Sequence, residues 1–386
     1  MKTFCNYYNQ NICASCTQIQ VPYKDQLQKK VDKLSTLLAF APDNLMLSPV
    51  SSTETHFRNK AKFSITGTIE QPLIGLVGEE DLDQGRDIKD CPLHHPKINQ
   101  FINVFADFIK QANLRPYQIK LKSGELKGII VYFSSESQEL YVRLILRSKE
   151  SLDRIKKHLE GFLFNFPQIK CFSANIQPIA HAILEGEEEI FFTQTHFISH
   201  QIGPVTMKLH PQGFVQTNQE VALKLYSTAA EWVKELKAET FMELYSGQGA
   251  FSFFVQKHVK KAIGIEINPE AVERANSTAQ EMNLSHLKFK AMDAAKVNLE
   301  VNEFSPQIIL VNPPRRGLGQ AIEVLAKAKC DYFIYSSCNA ETLAQDLITL
   351  QNHFKILKTQ LFDMFPHTQH FETLVLLKSI NADKKE

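Results

Sequence analysis

The sequence lacks the long apolar runs that mark membrane proteins. No stretch of its 386 residues approaches the roughly 18 apolar residues that a spanning helix needs. The N-terminal segment "MKTFCNYYNQNICASC" also lacks the apolar core of a secretory signal. We therefore expect a cytoplasmic protein with no membrane partner. Its seven cysteines should be reduced, metal-bound or catalytic rather than paired in disulfides.

Net charge is also small, and the chain has neither internal repeats nor low-complexity segments. A formal charge of +1 gives no sign of a nucleic-acid binder at the level of composition. Basic residues are nevertheless clustered in "FRNKAKF" (57–63) and "KLKSGELKG" (120–128). Such clusters are usually solvated surface, and the alternative is contact with RNA phosphates. The candidates for that contact are Arg58, Lys60, Lys62, Lys122 and Lys127.

The pattern of apolar residues changes twice along the chain. Residues 1–95 carry clustered cysteines and a polar helix candidate, and residues 96–205 mix helices and strands as in an α+β domain. From residue 206 to 386, short buried strands alternate with helices, which predicts a doubly wound, mostly parallel α/β sheet. The last two strand candidates predict a hairpin at one edge of that sheet. The sequence therefore predicts three segments, 1–95, 96–205 and 206–386.

The third segment contains the marks of a cofactor site. In "ELYSGQGAF" a strand runs into a loop that contains Gly247 and Gly249, as in loops where the backbone approaches a ligand. The next strands are followed by Glu266, by Asp293 and then by Asn312 of "NPP". One acid after each successive strand, followed by NPP, is typical of S-adenosylmethionine-dependent methyltransferases. The alternative is a Rossmann-like fold that binds another nucleotide.

A cysteine follows the next strand of the same segment. In "FIYSSCNAET" (333–342) a hydrophobic run ends in polar residues that include Cys338. A free cysteine is often a small buried hydrophobic residue. At the carboxyl edge of a parallel sheet, where ligands bind, it is equally a candidate nucleophile.

Three blocks together resemble the RNA uracil-5-methyltransferases. They are "NPPRRG" (312–317), "YSSCNAET" (335–342) and "FDMFPHTQHFE" (362–372), and they occur in the family's order. The resemblance implies a class I S-adenosylmethionine-dependent methyltransferase domain that methylates carbon-5 of a uridine. It implies that Cys338 attacks carbon-6 as a thiolate and that Glu372 removes the carbon-5 proton. It also implies cofactor contacts for Gln216, in "HPQGFVQTN" (210–218), and for Tyr245.

The NPP block departs from two known patterns. Asn312 stands where some family members have aspartate, which excludes a charged role for that side chain. Arg315 follows the prolines, whereas adenine amino-methylases place an aromatic residue after NPP to stack on the base. The adenine-methylase alternative is therefore disfavoured.

Four cysteines near the N-terminus form a candidate metal site. Cys5, Cys13 and Cys16 are spaced C-x7-C-x2-C, and Cys91 follows in "KDCPLHH". The spacing fits either an iron–sulfur cluster or zinc, and the two histidines keep zinc open. The resemblance extends to the rRNA-modifying branch of the family. It implies that these four cysteines hold a [4Fe–4S] cluster with a structural or RNA-orienting role.

The resemblance implies a monomeric enzyme that methylates one unpaired loop uridine of 23S rRNA, uridine 747. Because Cys5 lies so near the start of the sequence, we expect no β-barrel (TRAM) RNA-binding domain before the cluster region. The alternatives are a tRNA uridine methylase and an iron–sulfur RNA-binding protein without catalytic activity.

Overall fold

The computed structural model describes residues 2–41, 45–78, 83–179, 185–297 and 304–381. The chain forms two units, and neither is continuous in sequence. Unit 1 comprises Met1–Gln20, Thr53–Gln201 and Lys208–Thr217. Unit 2 comprises Val21–Ser52, Ile202–Met207 and Asn218–Glu386.

The secondary structure is mixed throughout. The α-helices are α1 (Asn6–Asn9), α2 (Tyr23–Leu37), α3 (Pro96–Gln111), α4 (Leu152–Asn165), α5 (Gln219–Leu236), α6 (Ala250–Val255), α7 (Pro269–Glu281), α8 (Ala321–Ala326) and α9 (Ala340–Leu350). The first nine strands are β1 (Lys60–Gly67), β2 (Pro72–Val77), β3 (Gly85–Asp87), β4 (Leu126–Ser134), β5 (Glu139–Leu146), β6 (Ile169–Ile176), β7 (Glu188–Phe191), β8 (Ile198–Ile202) and β9 (Val205–Leu209). The remaining strands are β10 (Thr240–Leu244), β11 (Lys261–Glu266), β12 (Leu287–Ala291), β13 (Ile308–Val311), β14 (Tyr332–Ser337), β15 (Phe354–Phe362) and β16 (Glu372–Ser379). Within the described ranges, none of the helices combines the length and apolar character needed to cross a membrane.

Unit 1 is built on a seven-stranded sheet in the order β3-β2-β1-β4-β5-β6-β7. Only β5 and β6 are parallel, and α4 lies between them in sequence. Apolar side chains of α3 and α4 share one buried core with alternate residues of the strands. The predicted boundary between residues 95 and 96 falls inside this sheet, because β1 pairs with β4 from Lys60↔Tyr132 onwards. Apart from Val21–Ser52 and residues 202–205, which belong to unit 2, segments 1–95 and 96–205 therefore share one structural unit.

Unit 2 is built on a second seven-stranded sheet in the order β12-β11-β10-β13-β14-β16-β15. The first five strands in that order are parallel, and β16 runs antiparallel to both of its neighbours. One buried core contains residues of α5, α6 and α7, and a second contains residues of α2, α8 and α9. The doubly wound sheet and its terminal hairpin are thus confirmed.

Helix α2 belongs to unit 2 although it lies within the predicted first segment. Leu34 of α2 and Leu38, which follows the helix, are buried in the core that also contains Val311 and Tyr335 of the central strands. The predicted boundaries at 95 and 205 therefore separate α2 from the unit 2 sheet on which it packs.

Candidate active site

The carboxyl edge of the unit 2 sheet brings together most of the predicted site residues. Tyr245 follows β10, Glu266 ends β11, Asp293 follows β12, Asn312 follows β13 and Cys338 follows β14. These five strands are parallel neighbours, so their carboxyl ends lie side by side. This edge is where open α/β sheets bind ligands.

The loop after β10 has a conformation that requires its glycines. Tyr245, Gly247 and Gly249 all have positive φ, at 59°, 53° and 83°. A Cβ on Gly249 would lie 2.4 Å from the ring of Phe289, so the loop passes too close to β12 for any side chain. A Cβ on Gly247 would instead point into open space. The loop therefore leaves room for a ligand beside its backbone.

The acid at the end of β11 is held by the backbone on both sides. One Glu266 oxygen accepts from the N–H of Gly247 and the other from the N–H of Asn268, each at 2.9 Å. Each carboxylate oxygen retains a further lone pair for a ligand hydroxyl. Burial raises the pKa of the Tyr245 hydroxyl, and the charge of the nearby Asp293 raises it further. This edge thus offers two acids and a phenol to a polar ligand.

The register of the sheet sets Cys338 opposite Glu372. The antiparallel pairing of β14 with β16 includes Ser337↔Thr373, so the next pair along the same register is Cys338 with Glu372. Residues directly opposite each other in an antiparallel pair have Cβ atoms about 4.5–5.5 Å apart. Glu372 is 2% exposed, whereas Cys338 is partly exposed. A thiol and a buried carboxylate therefore meet at the mouth of the site.

The pKa of the Cys338 thiol reports its charged neighbours. Burial raises this pKa, the Glu372 carboxylate raises it further, and the charge and hydrogen bond of Arg315 oppose the rise. The net direction is upward, so the ligand-free site does not supply the lowered pKa expected of a reactive cysteine. Arg315 is the positive group that favours the thiolate. The sequence drew attention to Arg315 only as the residue after the prolines.

The loop that carries Arg315 is fixed to the start of α9. The Asn339 side chain donates to the Arg315 carbonyl at 3.0 Å, and the Thr342 hydroxyl donates to the same oxygen at 3.2 Å. Asn339 also caps α9, because its side-chain oxygen accepts from the N–H of Glu341. The "NPPRRG" and "SSCNAET" blocks thus form one structure around the cysteine.

A buried acid of β10 was missed in the sequence. Glu243 is 1% exposed and accepts hydrogen bonds from the backbone N–H and the hydroxyl of Ser252 in α6. Burial raises its pKa to about 8, and Glu266 adds to the rise while Ser252 opposes it. A glutamate inside the apolar strand "TFMEL" was the available signal.

The predicted cofactor contact Gln216 belongs to a different unit from the carboxyl edge of the sheet. It is buried at 5% exposure and belongs to unit 1, whereas Tyr245 and the residues of the carboxyl edge belong to unit 2.

The four N-terminal cysteines line one cavity in unit 1. The cavity has a volume of about 250 Å³, and its walls include Cys5, Cys13, Cys16 and Cys91. Burial and then the charges of the other three thiols raise the pKa of Cys16 to about 12. Among the described residues, no three His, Cys, Asp or Glu side chains are arranged as a formed metal site. The donor set nevertheless fits a thiolate-bound metal, since a cation would relieve the mutual repulsion of four clustered thiolates.

The two histidines near these cysteines differ in position. His94 lines the same cavity, and burial lowers its pKa to about 3. His95 instead caps α3, where its Nδ1 accepts from the N–H of Lys97 at 3.2 Å. Only His94 is therefore placed as an alternative ligand.

The five basic residues proposed for RNA contact differ in exposure. Lys62 and Lys122 are exposed. Lys127 is 8% exposed and donates to the carbonyls of Gln177 and Ile179, so its charge serves the fold of unit 1. Arg58 and Lys60 line the cysteine cavity, and the exposed Lys62 lines it as well.

Comparison with known proteins decides the family. The model of the tRNA (uracil-5-)-methyltransferase family matches residues 22–380. The chain belongs to this family. Membership accounts for the three C-terminal sequence blocks and for the α/β fold of unit 2.

Similar proteins extend over the whole chain of this uracil-5-methyltransferase. It is 39% identical over 374 residues to the 23S rRNA (uracil(747)-C(5))-methyltransferase RlmC of Photorhabdus laumondii, with 97% of this chain and 98% of that protein covered. It is 40% identical over 390 residues to RlmC of Haemophilus influenzae, with 98% and 99% covered. Among solved structures it resembles the tRNA (uracil-54, C5)-methyltransferase of Pyrococcus abyssi in complex with S-adenosyl-L-homocysteine. That likeness has a TM-score of 0.79 and 25% identity, and it covers 95% of this chain and 86% of the other. Family membership and the product-bound structure support S-adenosylmethionine as the cofactor.

Proposed function

We propose that this protein transfers a methyl group from S-adenosylmethionine to carbon-5 of a uridine in 23S rRNA. The observation that carries the proposal is the pairing of Cys338 with Glu372 beside a glycine loop and two strand-end acids. The full-length relatives named RlmC support 23S rRNA as the substrate and position 747 as the target. The runner-up is a tRNA uridine, because the solved neighbour acts on tRNA. A binding protein without catalysis is disfavoured by the complete thiol–carboxylate pair.

The residues at the carboxyl edge divide into two groups. We assign the cofactor to Tyr245, Gly247, Gly249, Glu266, Asp293 and Asn312, with Gln216 as a further contact. When bound, S-adenosylmethionine supplies an electrophilic methyl group. In this assignment Glu266 holds the ribose hydroxyls, and the open space beside Gly247 admits the ligand.

The covalent chemistry is assigned to Cys338 and Glu372. The Cys338 thiolate forms a bond to carbon-6 of uracil, and the ring electrons move to the carbon-4 oxygen, which makes carbon-5 nucleophilic. Carbon-5 takes the methyl group, and Glu372 then removes the carbon-5 proton. The released electron pair restores the carbon-5–carbon-6 double bond and expels the thiolate. Arg315 stabilises that thiolate at the first and last steps.

The target base must leave its stack to reach this pair. Carbon-6 of a stacked uracil is inaccessible to a side chain, and unstacking is least costly for an unpaired base. We therefore propose an unpaired loop uridine as the substrate. We also propose that the active form is a monomer and that the region 96–205 binds RNA.

Substitution of the two residues separates their roles. Cys338→Ala should abolish methylation and any covalent RNA complex, because the first bond cannot form. Glu372→Gln should still allow attack and methyl transfer but should accumulate a methylated protein–RNA complex that survives denaturation. The assay uses labelled methyl donor with separated 23S rRNA and tRNA, followed by mapping of the modified base. If the Glu372→Gln protein releases methylated RNA at the normal rate, Glu372 is not the general base. If only tRNA is methylated, the substrate is tRNA rather than 23S rRNA.

We further propose that Cys5, Cys13, Cys16 and Cys91 hold a [4Fe–4S] cluster that orders unit 1 and orients RNA. The support is that all four thiols line a single cavity. Protein purified without oxygen should be brown and contain about four irons per chain. Cys91→Ser should remove the iron, whereas Cys171→Ala, at a buried cysteine of β6 outside the cavity, should not. One zinc and no iron would overturn the assignment in favour of a structural zinc site.

A further inference from the structure

The buried stripe of α2 is polar where an apolar stripe is expected. Its buried residues are Gln26, Lys30 and Leu34, which lie four residues apart on one face of the helix. Lys30 belongs to a buried ion pair, and such pairs rarely stabilise a fold more than packed apolar groups of similar size do. A polar stripe therefore calls for a role other than stability.

Both polar residues contact the segment that leads into Glu372. Segment 363–371 connects β15 to β16, and Glu372 is the first residue of β16. The Lys30 ammonium donates to Asp363 at 2.6 Å and to the Phe365 carbonyl at 3.1 Å. The Lys30 and Asp363 side chains are 2% and 0% exposed, so this ion pair is shielded from solvent and held in one geometry.

Gln26 holds the same segment at its sharpest turn. His367 adopts a left-handed conformation with φ 64°, which is costly for a residue with a side chain. The Gln26 amide oxygen accepts from the His367 N–H at 2.9 Å, and its nitrogen lies 3.2 Å from His367 Nδ1. The same nitrogen also donates to the Val21 carbonyl at 2.8 Å, so the glutamine is itself fixed.

We propose that Lys30 and Gln26 are positioning residues that hold segment 363–371 so that the Glu372 carboxylate stays opposite Cys338. The inference rests on the proposed function, because it gives α2 a part in the proton-removal step. Cys338 lies at the end of β14, next to the Asn339 cap of α9, whereas Lys30 and Gln26 contact the segment that precedes Glu372. Loss of the α2 contacts should therefore impair the elimination step more than the initial attack.

The test is the ratio of trapped covalent complex to released product. Lys30→Met combined with Asp363→Leu removes both charges together and leaves no unpaired buried ion. We expect this protein to bind S-adenosylmethionine normally and to form the covalent complex at the normal rate. The ratio of complex to product should rise by about tenfold or more, because a small displacement of a catalytic group costs that much or more. Lys33→Met is the matched control: its side chain is exposed on the same helix and pairs with Glu341 instead.

A second variant keeps the test decisive if the double variant does not fold. Gln26→Leu removes only the hydrogen bonds to His367 and Val21, and it should raise the same ratio. Normal turnover without trapped complex in a folded variant would overturn the inference. Glu372→Gln, assayed in parallel, separates failure of the proposed function from failure of the positioning role. If this variant traps no covalent complex, the assignment of Glu372 as the general base is wrong. If it traps complex and the α2 variants do not, only the positioning role is wrong.

Discussion

The buried Glu243 should make the stability of the protein depend on pH in a specific direction. Its pKa rises from an ordinary 4.5 to about 8 in the fold. Between these values the unfolded chain releases a proton that the folded protein retains, so stability is lost as pH rises through this window. At about 1.4 kcal/mol per pKa unit, the loss attributable to Glu243 approaches about 3 kcal/mol at pH 7 and has an upper limit of about 5 kcal/mol.

Glu243→Gln should remove this dependence. The amide oxygen can still accept both hydrogen bonds from Ser252, and the side chain no longer ionises in the unfolded chain. The variant should match the wild type near pH 4.5 and exceed its free energy of unfolding by up to about 3 kcal/mol near pH 7. The assay is urea unfolding of both proteins at several pH values, with the midpoints compared.

A surface acid next to the same strand provides the control. Glu239 pairs with Lys260 at 2.5 Å, and its side chain is 58% exposed. Glu239→Gln should shift the midpoint little and equally at every pH, since exposed ion pairs contribute at most about 1 kcal/mol. A Glu243→Gln difference that is constant across pH would refute the assignment of a raised pKa to Glu243.

Three other predictions concern catalysis and binding. Arg315→Met should raise the pKa of the Cys338 thiol, because it removes the positive charge and the hydrogen bond that favour the thiolate, and it should slow covalent complex formation at neutral pH while shifting the pH profile of that step to higher pH. Gly249→Ala should abolish cofactor binding measured by calorimetry, because the added Cβ collides with the ring on β12 at 2.4 Å. Lys122→Gln should weaken RNA binding and reduce the salt slope of the dissociation constant by about one, whereas buried Lys127→Gln should lower stability instead.

The first two of these predictions have matched control variants. Arg316→Met lies one residue from Arg315 but outside the groups that shift the Cys338 pKa, so its pH profile should stay in place. Gly319→Ala shares the positive φ, at 53°, but meets no atom within 4 Å, and should leave cofactor binding intact. Equal effects of Arg315→Met and Arg316→Met, or of the two glycine variants, would contradict the geometric argument.

The sequence predicted the catalytic half of the fold because its signals are local. The short apolar strands of 206–386 lead into glycine or polar residues, such as Gly247, Asp293 and Asn312, and parallel strands bring these positions to one edge. The order of the strands then follows from the ordinary rules for doubly wound sheets. The roles of Cys338 and Glu372 came from the family resemblance, and the antiparallel pairing of β14 with β16 sets the two residues opposite each other.

The rest depended on contacts between residues distant in sequence. The periodicity of "KDQLQKKVDKLSTLLAF" indicates a helix, but nothing in it says that Lys30 pairs with Asp363 rather than with solvent. Likewise "LKG" gives no sign that Lys127 donates to carbonyls some fifty residues away. The elevated pKa of Cys338 depends on Glu372 and on burial, neither of which can be computed from composition. These properties depend on the tertiary structure, which brings residues that are distant in sequence into contact.

The membership of α2 in unit 2 has a consequence for synthesis on the ribosome. Its contacts with segment 363–371 span 333 residues for Lys30 and 341 for Gln26. The helix therefore leaves the ribosome early, whereas segment 363–371, which Lys30 and Gln26 contact, is made only when almost the entire chain has been translated. Meanwhile Leu34 and Leu38 lack the core that later buries them, which is the kind of delayed, non-local closure that slows folding and attracts chaperones. A fragment that starts at residue 206 would lack this helix, so the catalytic unit cannot be excised as one contiguous piece.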